Sequence, residues 1–491
     1  MSLLACPIIA VSIISGAPGP DSDAPIRIGD RPQMFIDDHL IHTMDGTRLE
    51  LATPRDEGSV LVFDQPWEGP FSGYVTVIHD GDRYLACYRG LPMAGGDGTE
   101  QEVTCIATSG DGITWTRPEL VLHDAGEHGS NNIILADAAP ITHNFSPFLD
   151  TRPGVDPAHR FKGLGGNEHS GLIAYTSPDG IHWNRLREEP VVTGGMFDSQ
   201  NVCFWSELEG CYCCYMRTWT GEGYSGMRTI SRSTSKDFLE WSEPIRMDFG
   251  DTPMEHLYTN QTHPYFRNPE LYISIAARFM PGRQVLTDEQ AAELGVDPSY
   301  FRDCSDAVLM TSRGGNRYDR TFMESLIRPG IGLENWVSRS NYPALNIVQT
   351  GPQEMSLYVN QDYAQPTAHL RRYSLRLDGL GSISAGADGG HWTSRPLVLD
   401  GDHLHINFAT SAAGGIRFEI TDENGDPLPG YGADDCLEQI GNEIDRRVTW
   451  KGGSDISGIR GRVVRLKAWL KDADLYSIWC ENPDMAGENQ P

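Results

Sequence analysis

Acidic side chains set among amides and aromatics are the chemistry this sequence offers most plainly. Asp198 stands in Phe197-Asp198-Ser199-Gln200-Asn201, Glu255 in Glu255-His256-Leu257-Tyr258-Thr259-Asn260, and Glu354 in Pro352-Gln353-Glu354-Met355-Ser356-Leu357-Tyr358. Two carboxyl groups flanking one bond, one protonated and one ionised, are what cleavage of a glycosidic linkage requires. Asp198, in a polar stretch just ahead of a strand-like run, suits the base or nucleophile. Glu255 and Glu354 are flanked by apolar and aromatic residues that raise a carboxyl pKa, which suits a proton donor. The companions fit a sugar. Asn132 and Asn201 can bond vicinal hydroxyls, His143 and His263 lie near the same strand starts, and Tyr258 and Trp336 can stack on a pyranose face. Arg278 and Arg339 can grip an anionic group through two parallel hydrogen bonds.

Other chemistries lack their signatures. Ten cysteines occur, but Cys211-Tyr212-Cys213-Cys214 is a single Cys-x-x-Cys with no second pair, so no metal ligand set is expected and the thiols read as small buried hydrophobes. No Gly-rich phosphate loop or Gly-x-Ser-x-Gly elbow occurs. No cofactor is expected; the acid excess would permit a structural Ca²⁺, though no spaced ligand set supports one. The formal net charge is −29, from 68 acidic and 39 basic residues, which repels nucleic acid and anionic membranes. Residues 3–17 are apolar and end in Ser15-Gly16-Ala17, resembling a secretory signal, although no Lys or Arg precedes Arg27. A secreted, periplasmic or cell-surface protein without a membrane-spanning segment is the expectation.

The elements that must position these groups recur along the chain. Thr108-Ser109-Gly110-Asp111-Gly112-Ile113-Thr114-Trp115 is followed by Thr176-Ser177-Pro178-Asp179-Gly180-Ile181-His182-Trp183, then by Thr234-Ser235-Lys236-Asp237-Phe238-Leu239-Glu240-Trp241. Weaker echoes begin at Thr311-Ser312 and Tyr373-Ser374. Each reads as a strand ending in a tight Asp-centred reversal, with an aromatic packing back across it. Units of roughly 60–80 residues, each with about four strand-like runs, describe propeller blades. In the first unit the runs are Tyr74–His79, Tyr84–Arg89, Val103–Thr108 and Leu120–His123. Thr287–Leu294, with a cap and Gly295 as a stop, reads as a short helix inserted in the fourth. From Trp392 on, alternating runs separated by turns read as a β-sandwich. The expected organisation is all-β: a signal segment and linker over 1–25, a five-bladed β-propeller over 26–385 and a C-terminal β-sandwich over 386–491.

Those hairpins, the blade count and the trailing sandwich together resemble glycoside hydrolases of the fructosidase type (family 32). The chain is also similar to secreted proteins of carbohydrate-degrading bacteria in 31–41 (RPQMFIDDHLI), 197–201 (FDSQN), 335–339 (NWVSR) and 474–478 (DLYSI). The family's Trp-Met-Asn-Asp-Pro-Asn-Gly and Glu-Cys motifs have no counterpart here, and Phe197-Asp198-Ser199 matches its Arg-Asp-Pro only loosely, so no catalytic residue is transferred. The resemblance implies a glycoside hydrolase acting on a poly- or oligosaccharide through two carboxylates in the central pocket. The alternative expectation is a propeller that binds carbohydrate without cleaving it.

Overall fold

The computed structural model describes residues 24–124 and 129–481; most of the signal-like segment therefore lies outside the described residues. Five antiparallel sheets follow one another along the chain, each ordered from an inner to an outer strand. Blade one comprises Gly73–His79, Tyr84–Gly90, Val103–Ser109 and Ile133–Leu135. Blade two runs from Ser146–Leu149 through Phe161–Asn167 and Gly171–Ser177 to Asn184–Arg185. Blade three runs from Val202–Ser206 through Cys211–Trp219 and Arg228–Ser235 to Ile245–Arg246. Blade four has a broken inner strand, Leu257–Thr259 and Thr262–Tyr265, then Asn268–Met280, Cys304–Ser312 and Ser325–Ile327. Blade five likewise has Tyr342–Pro343 and Val348–Gly351 inside, then Glu354–Gln361 and His369–Arg376. The fourth strand of blade one differs from the expectation. Leu120 makes only an isolated bridge to Asn131, while the wholly apolar Ile133–Leu135 buries against the blade and takes the ladder position.

The outer strand of blade five comes from the other end of the propeller sequence. Arg55–Val62 pairs antiparallel with His369–Arg376, from His369 opposite Val62 to Ser374 opposite Arg55. A second closure lies nearer the axis, where Leu345 N donates to Val75 O and Val77 N to Leu345 O. Both edges that an open ring would leave unpaired are thereby covered.

The repeated turn works through one carboxylate. Asp179 Oδ1 accepts from the backbone N–H groups of Ile181 and His182 at 2.9 and 2.8 Å, and Ser177 Oγ accepts from Gly180 N at 2.9 Å. Asp111 and Asp237 make the same contacts in their blades. The residue after the Asp sits at positive φ, 71° and 76° for Gly112 and Gly180. In the third copy Phe238 holds φ 72°, a conformation glycine adopts more readily, and its ring is fully buried against Phe148, Tyr212 and Trp241. The predicted helix is present as Asp288–Glu293, capped by Thr287 with Gln290 completing a capping box.

Residues 26–51 leave the propeller. Ile26–Ile28, Gln33–Met34, Ile41–Asp45 and Thr47–Leu51 hydrogen-bond with strands of the region 381–481, building one ten-stranded sheet. Its spine is the antiparallel pair His403–Thr421 and Val463–Glu481, each 19 residues long. The expected boundary at residue 26 is corrected for a hydrophobic reason: Ile28, Phe35 and Leu40 are buried with Trp392, Phe418, Trp450 and Leu466 in the core of this sheet, not between blades.

Burial alone would raise the Asp179 carboxyl, but the His182 and Ile181 amides and the His182 ring bring it down to about 2. A folded value below the ordinary 3.8 stabilises the fold above 3.8, and that contribution disappears as pH falls through 2. Asp179→Ala should therefore lose about 1 kcal/mol at neutral pH. In thermal melts its deficit against the parent should shrink between pH 3.8 and 2; a deficit that does not change with pH would contradict this account of the turn.

Candidate active site

The inner strands of a propeller open together at one end of the axis, and here those starts carry polar and charged side chains that share a cavity. Tyr74 follows the first residue of the blade-one inner strand, His143 and Asn144 precede that of blade two, and Asp198 precedes that of blade three. Tyr258 lies in the first inner segment of blade four, and Arg339 precedes that of blade five. Tyr74, His143, Asp198, Tyr258 and Arg339 line one cavity of about 210 Å³ with Asp97, Asn167, Glu168 and Tyr224. Three lining or adjoining residues hold positive φ: Tyr74 at 51°, Phe197 at 43° and Arg339 at 61°. That conformation is costly for non-glycine residues.

Backbone contacts hold the walls together. Asn144 Nδ2 donates to Gly166 O at 2.9 Å and also to Phe197 O, tying blade two to the Asp198 turn. Ser199 Oγ donates to Tyr258 O at 2.7 Å, tying that turn to blade four. Buried side-chain amides also link the inner-strand regions of different blades. Gln261 Nε2 donates to Gln200 Oε1 and Pro343 O, both at 2.7 Å, and Gln200 Nε2 donates to Thr76 Oγ1 at 2.9 Å.

The electrostatics alternate sign over short distances. Asp198 forms an ion pair with Arg217, whose side chain is only 3% exposed. Glu102, fully buried, accepts from His143 Nδ1 at 2.8 Å and from Gly98 N at 2.8 Å, with Arg89 Nη1 3.5 Å away. Burial opposes ionisation of Asp97, but Arg89, Arg339 and His143 hold its carboxyl below the ordinary range. Glu168 accepts from Tyr224 Oη at 2.5 Å. Burial pushes the Tyr258 phenol up, yet Arg339 and Arg217 outweigh burial and the opposing Asp198, and the net shift is downward.

The residues singled out from sequence divide sharply. Asp198, His143, Tyr258 and Arg339 meet at the cavity. Glu255 lies within blade four, bonded to Arg278 Nη1 at 2.9 Å and Arg320 Nη1 at 2.6 Å, and Arg278 is further clamped by Asp306. Glu354 lines a separate cleft of about 580 Å³ between propeller and C-terminal sheet, where it accepts from Arg372 at 2.9 Å and Thr350 at 3.0 Å. The three carboxylates thus do not share a pocket: Asp198 faces the axial cavity, while Glu255 pairs with arginines within blade four and Glu354 faces the cleft against the C-terminal sheet. Asn132 is an internal strut of blade one, bonded to Trp67, Tyr88 and Ile106. Asn201 braces its own turn through Phe197 O and Ser199 O. His263 is buried between Gln261 O and Ile347 N, and burial lowers it to about 4. Trp336 packs beside the short helix with Leu286, Phe301 and Val337.

Sequence reasoning missed Tyr74, Arg89, Asp97, Glu102, Glu168, Arg217 and Tyr224. One signal was available: the second strands of blades one and three are buried, largely apolar runs that carry a charge, Arg89 and Arg217, within their last three residues. Among the described residues two groups carry metal-ligating types, Asp97–Glu102–His143 and Glu209–Cys211–Cys213. An arginine already stands against each. Arg89 faces the first, and Arg232 Nη2 donates to Glu209 Oε2 at 2.5 Å and Cys213 Sγ at 3.1 Å in the second.

No protein-family model matches the chain, and no curated protein does. Among solved structures, an N-acetylgalactosamine deacetylase from F. plautii, in complex with blood group B trisaccharide, aligns at 13% identity over 68% of this chain and 96% of its own, with a TM-score of 0.44. A β-1,2-mannobiose phosphorylase from Listeria innocua aligns at 10% identity over 67% and 97%, TM-score 0.42. A structure described within the GH130 family of mannoside phosphorylases aligns at 13% over 67% and 93%, TM-score 0.37.

The arginines should make Tyr258 ionise more readily than an ordinary phenol. In an ultraviolet pH titration Tyr258→Phe should lose absorbance from the early, low-pH part of the parent's phenolate rise; superimposable curves would remove the arginine field as the dominant influence on this phenol.

Proposed function

We propose that the axial cavity cleaves a glycosidic bond of an oligosaccharide, with Asp198 and Asp97 as the flanking carboxylates and His143 as the proton donor. The observation that carries this reading is their convergence on one cavity, from blades one, two and three. Asp198, oriented by Arg217, acts as base or nucleophile on the anomeric side. Asp97, kept ionised by Arg89 and Arg339, stabilises positive charge developing on the sugar ring. His143 donates to the departing oxygen, while Glu102 on Nδ1 fixes its ring. Tyr74, Tyr224 and Tyr258 offer apolar faces to the sugar.

The chemistry so assigned needs no cofactor. We place the protein outside the cytoplasm on the strength of the signal-like segment, and read residues 386–481 as a β-sandwich bracing the propeller. Among the described residues no helix is long and apolar enough to cross a membrane.

The test is a panel of chromogenic glycosides and plant or algal oligosaccharides, run with the parent, Asp198→Asn and His143→Gln. The parent should release sugar, and each variant should be slower by about 10²–10⁴-fold with its melting temperature retained. Saturable binding without release, unchanged in both variants, would replace the enzyme with a carbohydrate-binding propeller. Release undiminished in both variants would move the chemistry out of this cavity.

A further inference from the structure

Around Tyr258 the protein has gathered three guanidinium groups. Their carbon centres lie 4.4 Å (Arg217), 5.2 Å (Arg228) and 5.7 Å (Arg339) from the centroid of one phenol ring. This is unusual company in a chain where acids outnumber bases 68 to 39. Bringing like charges together in a half-dry site costs energy unless something anionic joins them.

The anions of the protein itself do not complete the set. Asp198 takes one edge of Arg217, leaving Nε and Nη1 of that buried side chain without a hydrogen bond among the described residues. Arg228 forms no ion pair among the described residues; it lies against Trp219, Tyr258 and Phe279, and its buried Nε is likewise unpartnered. Arg339 reaches Asp97 only at 3.8 Å and Tyr363 Oη at 3.4 Å. Buried guanidinium N–H groups left unpaired are expensive, and their fork geometry matches the paired oxygens of a planar or tetrahedral oxyanion. Beside them lie neutral polar groups in the same condition. Tyr342 Oη and both amide atoms of Asn360 are buried without partners, on a second small cavity that shares Tyr74 and Arg339 with the first. Such groups match ring hydroxyls, which both donate and accept.

We propose that the cavity accepts a sugar bearing an oxyanion, a carboxylate or a sulfate ester, with the anionic group drawn to Arg339 on the cavity wall and to Arg217 and Arg228, which stand around the lining residue Tyr258, and the neighbouring hydroxyls facing Tyr342 and Asn360. The assignment, which rests on the glycoside-cleaving reading above, names the substrate class: acidic oligosaccharides. A neutral sugar would leave Arg228 without a counter-ion and the spare N–H groups of Arg217 unpaired. The bound anion also orients the ring, since a guanidinium clamp fixes a plane as well as a position.

The test measures binding without turnover. Affinities of the full-length protein for methyl glucuronide, methyl galacturonide, glucose 6-sulfate, methyl glucoside and inorganic phosphate are determined by calorimetry, for the parent and for Arg228→Gln, Arg339→Gln and the surface control Arg187→Gln. At least one sugar anion should bind at least about tenfold more tightly than methyl glucoside. Arg228→Gln and Arg339→Gln should erase that preference while melting like the parent, and Arg187→Gln should keep it. Equal affinity for charged and neutral sugars, absence of binding, or a preference that survives both cavity variants overturns the proposal. Inorganic phosphate binding as tightly as the best sugar anion also overturns it, because the oxyanion would then be free and not sugar-borne. Anion-dependent binding with no cleavage of any panel glycoside would sink the enzymatic reading and leave this one standing. Cleavage of neutral glycosides at rates indifferent to Arg228→Gln would do the reverse.

Discussion

The pairing of Arg55–Val62 with His369–Arg376 is the constraint on which the rest of the architecture depends. Five sheets radiating from an axis converge their inner strands only when the ring is shut. Here the seam is made by segments more than three hundred positions apart, as in the bond pair Arg371–Asp56 at 2.8 Å. The segment just before the seam, residues 26–51, is then obliged to run beside the strands that follow blade five, and it does so as part of their sheet. Ring closure and C-terminal sheet are therefore one topological event: the same stretch of chain that leaves one structure completes the other. Contacts of such large sequence separation carry a high loop-closure cost before they are rewarded.

Within the closed ring, the cavity is organised by compensation between buried charges. Arg89 against Glu102 and Asp97, Arg217 against Asp198, and Arg339 at the edge of Asp97 form an alternating arc around the axis. Buried ion pairs are poor sources of stability, because desolvation consumes most of their attraction. They concentrate where the inner strands begin, beside left-handed backbone at Tyr74, Phe197 and Arg339, which is the ground on which the glycoside-cleaving proposal stands. Elsewhere the same chemistry does structural work. Glu255 with Arg278 and Arg320, and Glu354 with Arg372, knit strands within their own blades.

That contrast explains how far the sequence could be read. The blade count was legible because Asp111, Asp179 and Asp237 each satisfy two backbone amides inside a turn of a few residues, a local device that leaves a local signature. Asp198 stood out for the same reason: amides crowd it in sequence as they do in space. Glu255 and Glu354 looked similar from their apolar neighbours, but the arginines that claim them lie across a blade, and cross-strand partners are invisible without register. Asp97 and Glu168 sit on connecting segments whose direction only the closed ring defines. Arg217 and Arg89 were readable in principle, as charges at the ends of apolar strands, once strand two of every blade is compared with its counterparts. Residues 26–51 alternate like any blade strand; what draws them away is the shape of the core that receives Ile28 and Phe35.

The Gln200–Gln261 bridge has a consequence for how the ring responds to damage. By hydrogen-bonding to one another and onward to Thr76 and Pro343, these two buried amides join the inner-strand regions of blades one, three, four and five. Four blades thus share one polar network, and a change in any member leaves a buried partner unpaired in a neighbouring blade.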